Sequence, residues 1–139
     1  MYLTKKISTG IPGSGTYHDA SLPESTYSMV GALPGHTIMG QTRVVSYNIG
    51  TLDRDCLIGK KDNSFKGHEF HHSEIMEIPE NAEFAITLSR GTGIKNGRDG
   101  LISRNTLGSY AHLHGIAYRE LIGSIIEAAR KFKECKVFS

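Results

Sequence analysis

GHEFHHS, residues 67–73, decides the fold, because it reads as helix or as strand with opposite chemical consequences. As a helix, His68-Glu69-Phe70-His71-His72 satisfies HExxH, in which two histidines bind zinc and the glutamate is the general base. That chemistry needs helical spacing, since only a helix puts residues four apart on one face. A glycine precedes the string and Pro79 follows it, and both argue against a helix. As a strand, His68, Phe70 and His72 face one side, and Glu69, His71 and Ser73 the other. The strand is the expectation and the zinc metallopeptidase the alternative. A plainer reading has each imidazole bonded to backbone at a polar strand end.

Outward from this stretch, Phe65–Ile75, Gln41–Ile49 (QTRVVSYNI) and Glu83–Leu88 all carry the β-branched and aromatic residues of strands. YSMVGAL, residues 27–33, ends at Pro34-Gly35 and predicts another strand and a turn. Residues 8–26 are dense in Gly, Ser, Thr and Pro and predict a loop, without the GKS or GKT ending of a phosphate cradle. GTGIKNGRDG, residues 91–100, holds an Asn-Gly and an Asp-Gly pair, both hairpin-turn signals. Residues 101–114 read as one or two extended segments. Tyr118, Leu121, Ile122, Ile125, Ile126, Ala129 and Phe132 recur at three- and four-residue spacing and predict an amphipathic helix with Lys and Arg near its end. The opening Met1-Tyr2-Leu3 reads as the inside of a helix that began earlier, so the expectation is a strand-rich unit with a helix at each end.

The 139 residues suffice for one domain and exclude a multi-step machine. Sixteen Lys and Arg against 14 Asp and Glu leave a net charge of +2, which demands neither nucleic acid nor an acidic membrane. Cys56 and Cys135 lie far apart without CxxC spacing, so neither a disulfide framework nor a zinc ribbon is indicated, and a reducing cytoplasm is expected. No basic leader or bilayer-length apolar run marks a secreted or membrane protein.

Read in order, VGALPG at 30–35, GHEFHHS at 67–73, Asp99-Gly100 and SYAHLH at 109–114 resemble the landmarks of cobyrinate a,c-diamide synthases. That family ends in a class I-like glutamine amidotransferase domain. The resemblance implies an α/β fold, here an incomplete class I glutamine amidotransferase-like (flavodoxin-like) domain, strand-rich with a C-terminal helix. It covers essentially the whole chain, residues 1–139, as a single partial domain. The family's cysteine nucleophile lies in a CGGLMYL-like turn, and this sequence opens at MYL.

The chemistry implied by the resemblance is glutamine hydrolysis. A thiolate attacks the side-chain amide, a histidine takes and returns protons, and ammonia leaves a glutamyl thioester that water clears. The histidine matching the family's SY-x-H landmark is His112. Where many class I relatives carry an orienting glutamate two residues on, this chain has His114, so a dyad is expected. By the same resemblance, Glu69, His71, Ser73 and Tyr110 are candidates for substrate contact or its support, and no metal site is expected. Neither cysteine matches the nucleophile position, and neither has in its sequence neighbourhood the base that thiolate activation needs. The intact enzyme would amidate two carboxylates of cobyrinate or a related nickel tetrapyrrole, with ATP and magnesium bound by an upstream domain and no cofactor by this chain. Alone, the chain is expected to be inactive and to self-associate or pair with the upstream piece. The reading from another class is a non-catalytic binding subunit or remnant.

Overall fold

Two long antiparallel strands form the spine of the molecule. The computed structural model describes residues 2–9 and 25–137. Within them run β1 (Lys6–Thr9), β2 (Ser25–Ser28), β3 (His36–Leu52), β4 (Ser64–Met76), β5 (Glu83–Arg90), β6 (Arg98–Ser103), β7 (Thr106–Gly108) and α1 (Arg119–Val137). β3 pairs with β4 along one edge. Its other edge takes β1 at His36–Ile38 and β5 at Ile49–Leu52, giving one seven-stranded sheet in the order β2-β1-β3-β5-β6-β7 with β4 paired to β3. Only β1 with β3 is parallel among the described strands.

The GHEFHHS stretch lies within β4, as its composition predicts. Burial alternates along it, with Phe65, Glu69 and Ser73 inward and Lys66, His68, Phe70 and Glu74 outward. The zinc-peptidase alternative therefore fails on geometry. In a strand, residues four apart are separated by about 13 Å, far too much for two ligands of one zinc, and Glu69 points away from both histidines.

The buried side chains gather in two clusters. Leu52, Ile58, Phe65, Ala85, Ile86, Leu88, Ala111 and Tyr118 form the larger, and Leu33, Phe84 and Leu101 the smaller. Their burial, about 1.5–3 kcal/mol for each large side chain, holds β4 and the 109–118 segment against the β3–β5 face. Tyr118, at the entry to α1, packs its ring at 5.9 Å from that of Phe65 and ties the helix to the sheet.

Four expectations need correction. The opening is not helical: residues 2–5 turn, and Lys6–Thr9 form β1 with Ile7 and Ser8 buried. Three apolar residues are too short a window for helical periodicity, and the backbone of residues 2–5 instead exchanges hydrogen bonds with residues 29–35. The strand expected over 27–33 is β2, which stops at Ser28, and Gly31 and Gly35 with positive φ carry the chain through a turn. Of the two glycine pairs in 91–100, only Asn96-Gly97 makes the turn, with φ of 52° and 73° and a bridge between Lys95 and Arg98. Asp99-Gly100 lies inside β6, where Asp99 is fully buried. Of the loop expected over 8–26, Ser8 and Thr9 belong to β1 and Ser25 and Thr26 to β2, and residues 10–24 lie outside the described residues.

Candidate active site

His112 lies against the free edge of β4. Its N–H donates to the His68 carbonyl at 2.7 Å and its carbonyl accepts from the His68 N–H at 3.3 Å, an isolated antiparallel bridge. Bridged residues project to one side, so His112 joins His68 on the outward, exposed face. Nδ1 of His112 is 3.2 Å from Nε2 of His68, with the rings edge to face at 4.8 Å between centroids.

Gly67 makes this approach feasible. A Cβ there would come within 2.6 Å of the His112 carbonyl and 2.7 Å of Asn48 Oδ1, so only glycine fits between β3 and the 112 backbone. The other side of the loop is held by Asp99. Its buried carboxylate accepts from Ser109 Oγ at 2.7 Å, Tyr110 N at 3.2 Å and Ala111 N at 2.9 Å, fixing the three residues that precede His112.

Glu69, His71, Ser73 and Tyr110 come together on the opposite, inward side of β4. Glu69 is 1% exposed. Its carboxylate accepts from Thr92 N at 2.5 Å and Gly93 N at 3.0 Å, anchoring the turn after β5. A Cβ at Gly91 would lie 2.8 Å from the Asn48 Cβ and 3.0 Å from the Glu69 carboxylate, and φ is 115°, so this turn too requires glycine. His71 stacks on Tyr110 with centroids 3.7 Å apart and planes 7° from parallel. Its Nδ1 meets the Ser73 carbonyl at 2.9 Å, and its Nε2 lies 3.7 Å from Glu69 Oε2. Ser73 Oγ and Tyr110 Oη share a hydrogen bond of 3.0 Å. Burial pushes the Tyr110 hydroxyl pKa above its ordinary value, opposed by the Ser73 hydrogen bond and reinforced by the nearby charges of Asp99 and Glu74.

The candidates thus divide into two groups. His112 presents an imidazole to solvent. The other four form a packed polar network behind the same strand. Asp99, which spans the two groups, and His68 escape the sequence reading as parts of this site. The Asp-Gly signal points to a turn, and the HExxH match draws His68 toward zinc. Among the described residues, no group of three or more His, Cys, Asp or Glu is gathered to hold a metal ion. A cleft of about 1130 Å³ lies elsewhere, lined by Arg54, Cys56, Arg104 and, from α1, Ser124, Phe132 and Cys135. None of the candidate residues lines it, so this cleft and the histidine chemistry are separate features.

Comparison with known proteins gives this geometry a context. Residues 1–119 match the CobB/CobQ-like glutamine amidotransferase domain. The chain is 83% identical over 137 residues to the cobyrinate a,c-diamide synthase of Methanosarcina barkeri, covering 99% of this chain and 28% of that protein. It is 84% identical over 133 residues to that of Methanosarcina acetivorans, covering 96% of this chain and 27% of the relative. To the Archaeoglobus fulgidus synthase it is 34% identical over 111 residues, 79% of this chain. The chain therefore spans little more than a quarter of the two Methanosarcina relatives. On the match over residues 1–119 and these identities, the chain belongs to the CobB/CobQ-like glutamine amidotransferase family.

Proposed function

We propose that this chain is the histidine-bearing, C-terminal portion of the glutaminase domain of a cobyrinate a,c-diamide synthase. The observation that carries the reading is the 83% identity to a protein of that name across 99% of the chain. In this reading His112 is the general base and acid. It takes the thiol proton of a cysteine as the sulfur attacks the glutamine carboxamide carbon, then gives a proton to the leaving nitrogen so that ammonia departs. Water, deprotonated by the same imidazole, clears the glutamyl thioester, and the thiol is restored. The exposure of His112 favours this role, because a base must reach its substrate.

The nucleophile comes from residues outside this chain, and the chain alone does not hydrolyse glutamine. Cys56, within the Cys56–Gly59 turn, and Cys135, on α1, both line the separate cleft. Glu69, His71, Ser73 and Tyr110 support the strand that carries the base. Glu69, with both carboxylate oxygens already engaged, holds the 91–93 turn rather than substrate. ATP and magnesium act at residues outside this chain, where ammonia is joined to the tetrapyrrole carboxylates. Two cysteines far apart in the sequence and without CxxC spacing suit a reducing cytoplasm, and no helix of the described residues is long and apolar enough to cross a membrane.

The test is a chimera in which this chain replaces the matching segment of the Methanosarcina barkeri synthase. It is expected to amidate cobyrinate with glutamine or with free ammonia. In the chimera, His112→Asn should lower the glutamine-dependent rate by about 10²–10⁴ while sparing the ammonia-dependent one. Normal glutamine use by that variant would remove His112 as the base.

A further inference from the structure

A histidine that acts as a base must keep one ring nitrogen unprotonated, and the proton on the other needs an acceptor that holds the tautomer and the ring orientation. A carboxylate commonly fills that place, and two residues after His112 the chain has His114 instead. The ring that meets His112 comes from β4: Nε2 of His68 stands 3.2 Å from Nδ1 of His112.

We propose that His68 is the positioning residue of His112. Its Nε2 accepts the proton on Nδ1 of His112, so that Nε2 of His112 is the nitrogen that exchanges protons with substrate. This direction follows from the chemistry asked of His112, since either nitrogen could donate. The assignment rests on the reading of His112 as the base.

Four features favour it. The edge-to-face arrangement of the rings lets an in-plane N–H of one point at the in-plane lone pair of the other, which stacked rings could not do. Two backbone hydrogen bonds lock residues 68 and 112 opposite each other. Gly67 admits the close approach of the two backbones. Asp99 fixes residues 109–111, the three that lead into His112. A neutral imidazole partner also differs from a carboxylate in kind. It sets the tautomer by a hydrogen bond and adds no negative charge to hold the imidazolium, so orientation is its contribution.

Ring-nitrogen NMR of the 15N-labelled chain tests this without any need for activity. The spectra are recorded at about pH 8.5, roughly two units above the ordinary imidazole value. His112 is expected to be protonated at Nδ1, with a scalar coupling across the hydrogen bond to Nε2 of His68. His68→Phe should release His112 to protonation at Nε2. His68→Gln, whose amide oxygen can reach the same position, should retain the Nδ1-protonated form. An Nε2-protonated His112 in the unsubstituted chain overturns the proposal even if the Phe variant fails to fold, and so does an unchanged tautomer in a folded Phe variant. In the chimera, His68→Phe should lower the glutamine-dependent kcat by about tenfold or more, part of the 10²–10⁴ a general base is worth, with KM little changed and partial rescue by Gln. Full glutamine use by His112→Asn would instead remove the base itself, and this assignment with it, whatever the tautomer.

Discussion

Asp99 is a carboxylate with no exposed surface and three donors aimed at it, two of them backbone N–H groups. Such a group does more than fill space, because each donor it satisfies would otherwise be buried and unpaired. Asp99→Ala is expected to cost about 1–3 kcal/mol in urea unfolding, with Asp99→Asn between the two because its amide keeps one acceptor oxygen. Equal stability of the Ala variant and the parent would show that residues 109–111 hold their shape without the carboxylate. Tyr110 gives a second expectation at this scale. Burial raises its hydroxyl pKa above the ordinary 10.0, so the folded state favours the protonated phenol. The resulting stability is fully present below pH 10 and is lost as pH rises from there through the raised folded-state value. Tyr110→Phe should therefore lower stability near neutrality by about 0.5–1.5 kcal/mol, the net worth of the bond to Ser73, and flatten the alkaline decline. An alkaline slope identical in the two proteins would assign that decline elsewhere, and Tyr118, also raised by burial, is one candidate.

At the scale of elements, the legible part of the fold was the part written in local pattern. The alternation in 65–75, the Asn96-Gly97 turn and the 3–4 spacing after Tyr118 each report on a few neighbouring residues, and each names its element correctly. The misses are non-local. β1 exists because it finds β3, some thirty residues away, and Asp99-Gly100 is strand because Phe84 to Ile86 pair across from it. The meeting of His68 with His112 spans 44 residues and depends on register, which no local window contains. Glu69, a candidate for substrate contact or its support, is turned inward by β4 and accepts from the Thr92 and Gly93 N–H groups. Gly67 is where this non-local pairing meets a single side chain. Gly67→Ala puts a Cβ 2.6 Å from the His112 carbonyl, and backbone on that side cannot swing away as a side chain could. It should cost about 1–3 kcal/mol and speed hydrogen exchange at the His112 N–H, which donates to His68. Unchanged exchange at that amide would mean that the bridge tolerates the methyl group.

At the scale of the whole molecule, two apolar faces stand out among the described residues. One is the outward face of β3 and β4, with Val45, Tyr47, Ile49 and Phe70 around the His68–His112 pair. The other is α1, where Ile122, Ile125 and Ile126 are 51%, 45% and 54% exposed although the stripe they form is that of a core-facing helix. The sequence pattern predicts such a helix without saying what it packs on, and among the described residues Tyr118 and the partly buried Leu121 carry its contact with the core. Contiguous apolar surface of this kind favours association. The two faces are not equivalent, however. On the sheet, apolar side chains alternate with Lys66 and the histidines, and Arg43 lies over the Phe70 ring at 4.8 Å. The α1 stripe is aliphatic, and the helix carries Arg119, Glu120 and Glu127 in its first half and Arg130, Lys131, Lys133, Glu134 and Lys136 in its second, an excess of negative charge giving way to an excess of positive. Two copies laid antiparallel would therefore match opposite charges beside the isoleucines. Sedimentation velocity of the isolated chain should show concentration-dependent association. Ile122→Glu with Ile126→Lys should abolish it, and Tyr47→Lys on the sheet should leave it intact. A monomer at every concentration would mean that the exposed stripe is too small or too mobile to hold a second copy, and loss of association in the Tyr47 variant alone would move the contact to the face that carries His112.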